Sequence, residues 1–348
     1  MLSGRYITKR LELCNPIKTA TQHLSFIKRL FLTLNDGDLS AVSELATFDD
    51  ASYYPETRQL AQSYLDQHFL PNLSAFTLDQ LIQSTSALEK CAPEARISFA
   101  AIEMGLLALK ATQSKKPLWK ILGGVNKPLA VRIVLSLTND IKKIKHELSS
   151  FQEKGYRHFK LKINQASSIA HLEKVYTEYP DLDIVLDANE SLDKNSACGF
   201  LEIKQLIPYI EQPFPRHDWK GLAWLTKEGL NLCLDESVRD IIHLKKMKSL
   251  NAAHRITLKP ALWGGFSKAK EALKYCSAHQ INCSIGGLYE TAVGRAYNLA
   301  FATLSGLDHV VELAPPSLTW AHDDYQLQHS VKNGSWHLSD CSGLGLIL

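Results

Sequence analysis

From about residue 126 onward, short apolar runs recur at nearly constant intervals, separated by stretches of helical periodicity. "VRIVLSL" (131–137) precedes the helix-like "NDIKKIKHELSSFQEKG". "HFKLKI", "DIVLDANE", "YIEQPF", "LCLDES", "RITLKP" and "INCSIGG" follow, each leading into a helical stretch. This alternation predicts βα units around a parallel sheet. The polar positions sharpen the prediction. Asp187, Glu211, Asp235 and Lys259 close four successive strands at intervals of 24 residues, and Lys162 lies 25 before Asp187. A fixed repeat with a polar residue at each strand end fits a closed (β/α) barrel better than a doubly wound sheet. In a barrel those ends converge on one mouth, where active sites are built.

The first 125 residues follow a different pattern. "HLSFIKRLFLTLNDGDLSAVSELATF" predicts a β-ribbon turning at "NDGD". From about Pro55 to Leu122 the pattern is helical, and in "RISFAAIEMGLLALKATQ" Ala100, Met104 and Leu107 recur on one face. The expected organisation is an α+β unit over 1–125, a barrel over 126–314, and a tail (about 315–348) that returns to the first unit.

Composition narrows the function classes. The 348 residues are 45% hydrophobic and 22% charged, with a formal net charge of +3 and no basic stripe. A nucleic-acid partner is therefore not expected. No run approaches a membrane span. The start, "MLSGRYITKRLELCNPIK", lacks the apolar core of a signal peptide, so a cytoplasmic protein is expected. The seven cysteines (Cys14, Cys91, Cys198, Cys233, Cys276, Cys283, Cys341) show no motif spacing and are expected to be reduced and mostly buried. The thirteen histidines form neither HxxxH nor HxH, which argues against a zinc site built from them.

The strand ends carry the candidate chemistry. Three carboxylates at one mouth, from "LDAN", "IEQP" and "LDES", repel one another unless a cation joins them. An all-oxygen set of Asp187, Glu211 and Asp235 suits a hard divalent ion, Mg²⁺ in the first place and Mn²⁺ as its substitute. Three separately salt-bridged acids are the bland alternative. In "HFKLKI", Lys160 and Lys162 share one face, and in "RITLKP" Lys259 shares a face with Thr257. Ammonium groups then enter from opposite sides of the metal, with the α-carbon of a small-molecule carboxylate between them. Removing an α-proton needs charge stabilisation, which the metal supplies, and a neutral amine as base. Lys160 and the metal are expected to lower the pKa of Lys162 for that role. Two lysines snorkelling from an edge strand are the alternative.

"KLK", "LDAN", "IEQP", "LDES" and "LKP", in this order and spacing, resemble the enolase superfamily, muconate-lactonizing-enzyme subgroup. The resemblance covers nearly the whole chain. "AAIEMGLLALKATQSKKPLWKILGG" resembles the run that closes the family's N-terminal capping domain, and "GLGLIL" its C-terminal strand. The resemblance implies an α/β fold, a modified (β/α)7β TIM-type barrel with an α+β capping domain. It implies Asp187, Glu211 and Asp235 as Mg²⁺ ligands, Lys162 and Lys259 flanking the substrate, and Asn189 and Glu236 behind the ligands. The lysine-base and Mg²⁺ strategy is the one already described for this superfamily. Many relatives have "GxGE" in the capping domain, where this chain has "SAVSE" ending at Glu44.

Within the subgroup, the region after strand seven reads "SIGGLYET", without the His of mandelate racemases. The "LKPALWGGF" run resembles the o-succinylbenzoate synthases of menaquinone biosynthesis. That likeness implies a dehydration in which Lys162 takes the α-proton and returns it to the departing hydroxide, while Lys259 stabilises the anion from the other face. The same pair serves racemases of N-succinylamino acids and dipeptide epimerases as acid and base. A barrel kept only as a binding scaffold has no need of all five residues. Gly286 and Gly287 are candidates for offering N–H groups to a substrate carboxylate. By position in the family, the loop from Thr19 to His23 closes over the substrate, and a second capping loop lies near Tyr53 and Tyr54.

Overall fold

The computed structural model describes residues 1–18, 23–91, 94–138 and 140–347. The chain opens with an antiparallel sheet of β1 (Leu2–Lys18), β2 (His23–Asp36) and β3 (Leu39–Leu45). The β2–β3 turn is Gly37-Asp38, with Gly37 at φ 59°, the positive value that a type II′ hairpin requires at its first central position. Strand β1 was not foreseen. Its apolar alternation is weak: among the residues of the strand whose burial is described, Leu2, Leu11 and Leu13 are the buried ones. Helices α1 (Arg58–Tyr64), α2 (Leu78–Cys91), α3 (Arg96–Gln113) and α4 (Leu118–Ile121) follow. Helix α3 is buried almost all round, and Leu30, Leu32 and Leu34 of β2 are fully buried in the same core. Burial of each such leucine contributes about 1.5–3 kcal/mol.

Eight parallel strands then form the barrel: β4 (Leu129–Ser136), β5 (His158–Lys162), β6 (Asp183–Asp187), β7 (Ile210–Glu211), β8 (Leu232–Leu234), β9 (Arg255–Leu258), β10 (Asn282–Ile285) and β11 (Val310–Val311). Each pairs with the next, β10 meets β11 through Gly286 and Glu312, and β11 returns to β4. Helices α5 (Ile141–Glu153), α6 (Ile169–Glu178), α7 (Lys194–Glu202), α8 (Trp219–Lys227) and α9 (Ile241–Ser249) fill the first five crossovers. The one-turn α10 (Pro260–Trp263) with α11 (Phe266–Ala278), and then α12 (Ala292–Ala302), fill the last two. Seven βα units and a closing strand make this the expected (β/α)7β barrel. Side chains of Asp140, Ser168, Asp193, Asp218, Asp240 and Thr291 each accept a backbone N–H at a helix start.

Strand alternation sorts β5 into two faces. Phe159 and Leu161 are buried under the helices, while His158, Lys160 and Lys162 point inward. The apolar part of the barrel interior is correspondingly small: Val185, Tyr209 and Cys233 form a cluster apart from the main core.

The tail adds short strands β12 (Gln326–Leu327), β13 (Ser330–Lys332), β14 (Ser335–His337) and β15 (Leu346–Ile347). It contacts N-terminal elements: Ala321 N–H bonds Glu12 O at 3.0 Å, and Leu118 N–H bonds Gly343 O at 2.8 Å. It also does something unexpected, pairing β14 antiparallel with the first barrel strand. The cysteines need a correction. All six described thiols are free, but Cys14, Cys198 and Cys341 are exposed, because they fall on edge, helix and tail positions facing water. No described helix is long and apolar enough to cross a membrane.

Two buried glutamates of the N-terminal domain fix it over the barrel mouth. Glu44 accepts from Thr291 N at 2.9 Å and Gly294 N at 3.1 Å, at the start of α12. Glu103 accepts from Phe266 N and Ser267 N at the start of α11. Each carboxylate meets unpaired N–H groups at the positive end of a helix dipole. Glu44 also faces the fully buried Arg29, whose guanidinium holds the carbonyls of Thr47, Leu288 and Tyr289. The "SAVSE" variation thus keeps the glutamate that docks the sheet.

Candidate active site

The inward residues at the strand ends converge. Lys160 Nζ lies 2.8 Å from Glu211 Oε1, 2.7 Å from Glu312 Oε2 and 3.1 Å from Asp187 Oδ2. Lys162, two residues nearer the mouth, bonds Asn189 Oδ1 and lies 3.7 Å from Asp187 Oδ2. Across the carboxylates, Lys259 Nζ meets Asp235 Oδ2 at 2.5 Å and the Tyr53 hydroxyl at 2.8 Å. Thr257, on the Lys259 face of β9, donates to Glu211 Oε2 at 2.8 Å. Asn189 donates its backbone N–H to Asp187 Oδ1 (3.0 Å) and its amide to Glu236 Oε1 (3.3 Å). Asp187, Glu211, Asp235 and Glu236 are each at most 5% exposed.

Local backbone strain aims these groups. Asn189 (φ 41°), Glu190 (φ 67°) and Gln212 (φ 37°) all adopt left-handed conformations just past β6 and β7. Such positions cost about 1–3 kcal/mol each unless neighbours over-determine them. Gln212 is so determined: its amide donates to Phe214 O and Ser237 Oγ and accepts from Asp235 N and Ser237 N. That clamp ties the end of β7 to the loop carrying Asp235.

Charge is not balanced by the protein alone. Burial, then neighbouring Glu312, pushes Glu211 up to about 8. Burial and Asp235 push Glu236 up to about 7. Buried Glu236 Oε2 and Glu312 Oε1 have no hydrogen-bond partner among the described residues. Burial alone would lower Lys160, but Asp187, Glu211 and Glu312 outweigh it and hold the ammonium well above its ordinary value. Burial would also lower Lys259, and Asp235, Tyr53 and Glu236 overturn that.

Among the described residues, no three His, Cys, Asp or Glu side chains already surround a common metal position. Ammonium groups of Lys160 and Lys259 stand among the acids instead. The donor set nevertheless fits a hard divalent cation: it is all oxygen, buried, short of positive charge and furnished with unpaired carboxylate oxygens.

The expected lowering of Lys162 involves the metal as well as Lys160. In the protein alone Lys160 pushes Lys162 downward, but Asp187 and Tyr289 outweigh both that repulsion and burial, so Lys162 lies above its ordinary value. The two lysines therefore divide the work: Lys160 is the deep counter-ion of the acids, and Lys162 is the ammonium at the mouth. Gly286 does not offer its N–H to a ligand, because that group bonds Leu258 O at 3.1 Å. Its glycine has a steric cause. A Cβ there would lie 2.5 Å from Thr257 Cγ2 and 3.2 Å from Lys259 Cε. Gly287 N–H has no partner among the described residues. Thr19 lies outside the described residues. Glu312 was missed, although it too is an acid ending an apolar strand, in "HVVELAPP".

With this geometry in view, comparison with known proteins gives the class. A model of the family described as enolase C-terminal domain-like matches residues 143–348. The chain belongs to this family and to the enolase superfamily of TIM-barrel enzymes. An o-succinylbenzoate synthase of Listeria innocua is 27% identical, covering 99% of this chain and 93% of that protein. An N-succinylamino acid racemase of Thermus thermophilus is 28% identical over 85% of this chain and 80% of its own. The solved structure of an enolase superfamily member from Listeria innocua superposes with a TM-score of 0.93 at 25% identity, covering all of this chain and 95% of that one.

Proposed function

We propose that the protein is an o-succinylbenzoate synthase, dehydrating 2-succinyl-6-hydroxy-2,4-cyclohexadiene-1-carboxylate to 2-succinylbenzoate. Asp187, Glu211 and Asp235 would hold Mg²⁺, or Mn²⁺ in its place, with Asn189 orienting Asp187 through its backbone N–H and Glu236 holding the Asn189 amide. The bound cation would supply charge stabilisation for the carboxylate whose α-proton is removed, and would offset the hold of Asp187 on Lys162.

The observation that carries the reading is the asymmetry of the two flanking lysines. Lys259 is 12% exposed and fixed by Asp235 and Tyr53, whereas the Lys162 side chain is 37% exposed and reaches the mouth. A fixed ammonium suits a constant positive charge beside a developing anion. A more accessible amine at the mouth suits proton transfer. Lys162 takes the α-proton. The electron pair left on carbon forms the new C=C bond as the C–O bond breaks, and Lys162 returns the proton to the departing hydroxide as water. Ring aromatisation drives the step. Lys259 keeps its proton throughout.

Racemisation of N-succinylamino acids, or epimerisation of dipeptides, is the second reading. The identity to the Thermus racemase favours it, but there both lysines must exchange protons in turn. The two separate by experiment. The Mg²⁺-loaded protein is offered the cyclohexadiene carboxylate and, in D₂O, N-succinylamino acids and dipeptides. A kcat/KM for dehydration at least about tenfold above that for α-deuterium incorporation supports the synthase. The reverse order supports the isomerase.

A further inference from the structure

We propose that Tyr53 is a positioning residue for Lys259. The inference rests on the reading of Lys259 as the fixed cation of the reaction. Tyr53 lies in the N-terminal domain, on the connection between β3 and α1, 206 positions before Lys259. Its oxygen accepts from Lys259 Nζ at 2.8 Å, and its O–H donates to Asp235 Oδ2 at 3.4 Å. Asp235 is the other partner of Lys259, and it is also one of the acids assigned to the cation. Among the described residues, the phenol is therefore the one partner of this ammonium that the cation does not share. A lysine on a flexible four-carbon stem needs such a second contact to hold one rotamer.

The barrel in turn fixes Tyr53 through four consecutive strand-end loops. Glu190, after β6, forks Arg216, after β7, whose Nη1 donates to the Tyr53 carbonyl at 3.5 Å. Arg239, after β8, lies 5.1 Å from the Tyr53 ring and 5.2 Å from the Tyr54 ring, with one buried guanidinium nitrogen that has no hydrogen-bond partner among the described residues. Lys259, after β9, completes the set, and the Tyr54 hydroxyl reaches Leu262 O at 3.5 Å. Phe48 supports the Tyr53 ring edge-on at 6.2 Å. Placement of the 48–57 segment and placement of the Lys259 ammonium are thus one event. A chain with the segment undocked has its fixed cation incompletely held.

The test is a double-mutant cycle read by hydrogen–deuterium exchange of segment 48–57 in the Mg²⁺-loaded full chain. Tyr53→Phe keeps the ring contacts and removes only the hydroxyl. Tyr53→Phe and Lys259→Met are each expected to speed exchange of the segment roughly tenfold, the loss of one charge-assisted bond. The double variant is expected to exchange no faster than either single one. If Lys259→Met does not fold, Lys259→Gln takes its place in the cycle. A second readout is turnover: Tyr53→Phe should lower kcat about tenfold with KM within threefold. Exchange unchanged within twofold in Tyr53→Phe, or additive effects in the double variant, would overturn the proposal. The exchange cycle needs no substrate. If the wild-type protein fails to dehydrate the diene, the functional reading falls while the cycle still decides the coupling.

Discussion

Lys160→Met gives the sharpest view of how this barrel tolerates so many acids. The substitution keeps roughly the side-chain volume and removes the one ammonium within 3.1 Å of Asp187, Glu211 and Glu312. Breaking a buried ion pair by deleting one partner costs about 3–5 kcal/mol, because the remaining charge has no solvent to turn to. Glu211 moderates the figure. Burial and Glu312 already push its carboxyl up to about 8, so at pH 7 without a metal it stands largely protonated and leaves little uncompensated charge when Lys160 is removed. The expected loss is therefore at the lower end, about 3 kcal/mol, or about a hundredfold in the folding equilibrium. Urea unfolding at pH 7 in a chelating buffer measures it. Saturating Mg²⁺ should restore part of the loss in the variant, and stabilise the variant more than the wild type, because a ligand bound to the folded state alone adds to its stability. A variant within about 0.5 kcal/mol of wild type in chelator would refute the counter-ion argument.

Three further outcomes follow from the same structure. Glu44→Ala leaves fully buried Arg29 without its carboxylate and the Thr291 and Gly294 N–H groups at the start of α12 without their acceptor; a loss of about 3–4 kcal/mol is expected in urea unfolding. Asp235→Asn should weaken Mg²⁺ binding by about tenfold or more in calorimetric titration, with far-UV dichroism unchanged. Burial pushes His329 down to about 4, against about 6.5 when unfolded. The unfolded state then binds the extra proton between those values, so stability present at pH 7 falls as the pH drops from about 6.5 toward 4, by up to about 3 kcal/mol. His329→Gln should flatten that part of the stability–pH curve, and an unchanged curve would contradict the assignment.

The regular part of the molecule was legible because the barrel repeats. A polar residue 24 positions after the last is visible in one dimension, and strand geometry turns it into one mouth. Where the repeat breaks, legibility ends. Strand β10 carries Gly286 where the others carry a charge, so Glu312 falls 53 residues after Lys259 and escapes the count. The roles of Lys160 and Lys162 are not separable from spacing alone. They differ by two residues of depth, about 6.6 Å along a strand, and depth decides which ammonium meets three acids and which meets the mouth. Gly286 shows the same limit. Its sequence suggests a free N–H, whereas ladder pairing uses that group, and the crowding by Lys259 that requires glycine is visible only in three dimensions. Tyr53 reaches Lys259 across 206 positions, and no local pattern announces such a contact.

The central claim is that Lys162 removes the α-proton of a carboxylate held at this mouth. The most direct measurement is loss of diene absorbance from the cyclohexadiene carboxylate, comparing wild type with Lys162→Ala, both loaded with Mg²⁺ and both checked for fold and metal content. The account predicts rapid loss with wild type, abolished by chelator, and at least about a thousandfold slower loss with Lys162→Ala. A Lys162→Ala protein that retains most of the wild-type rate would contradict it.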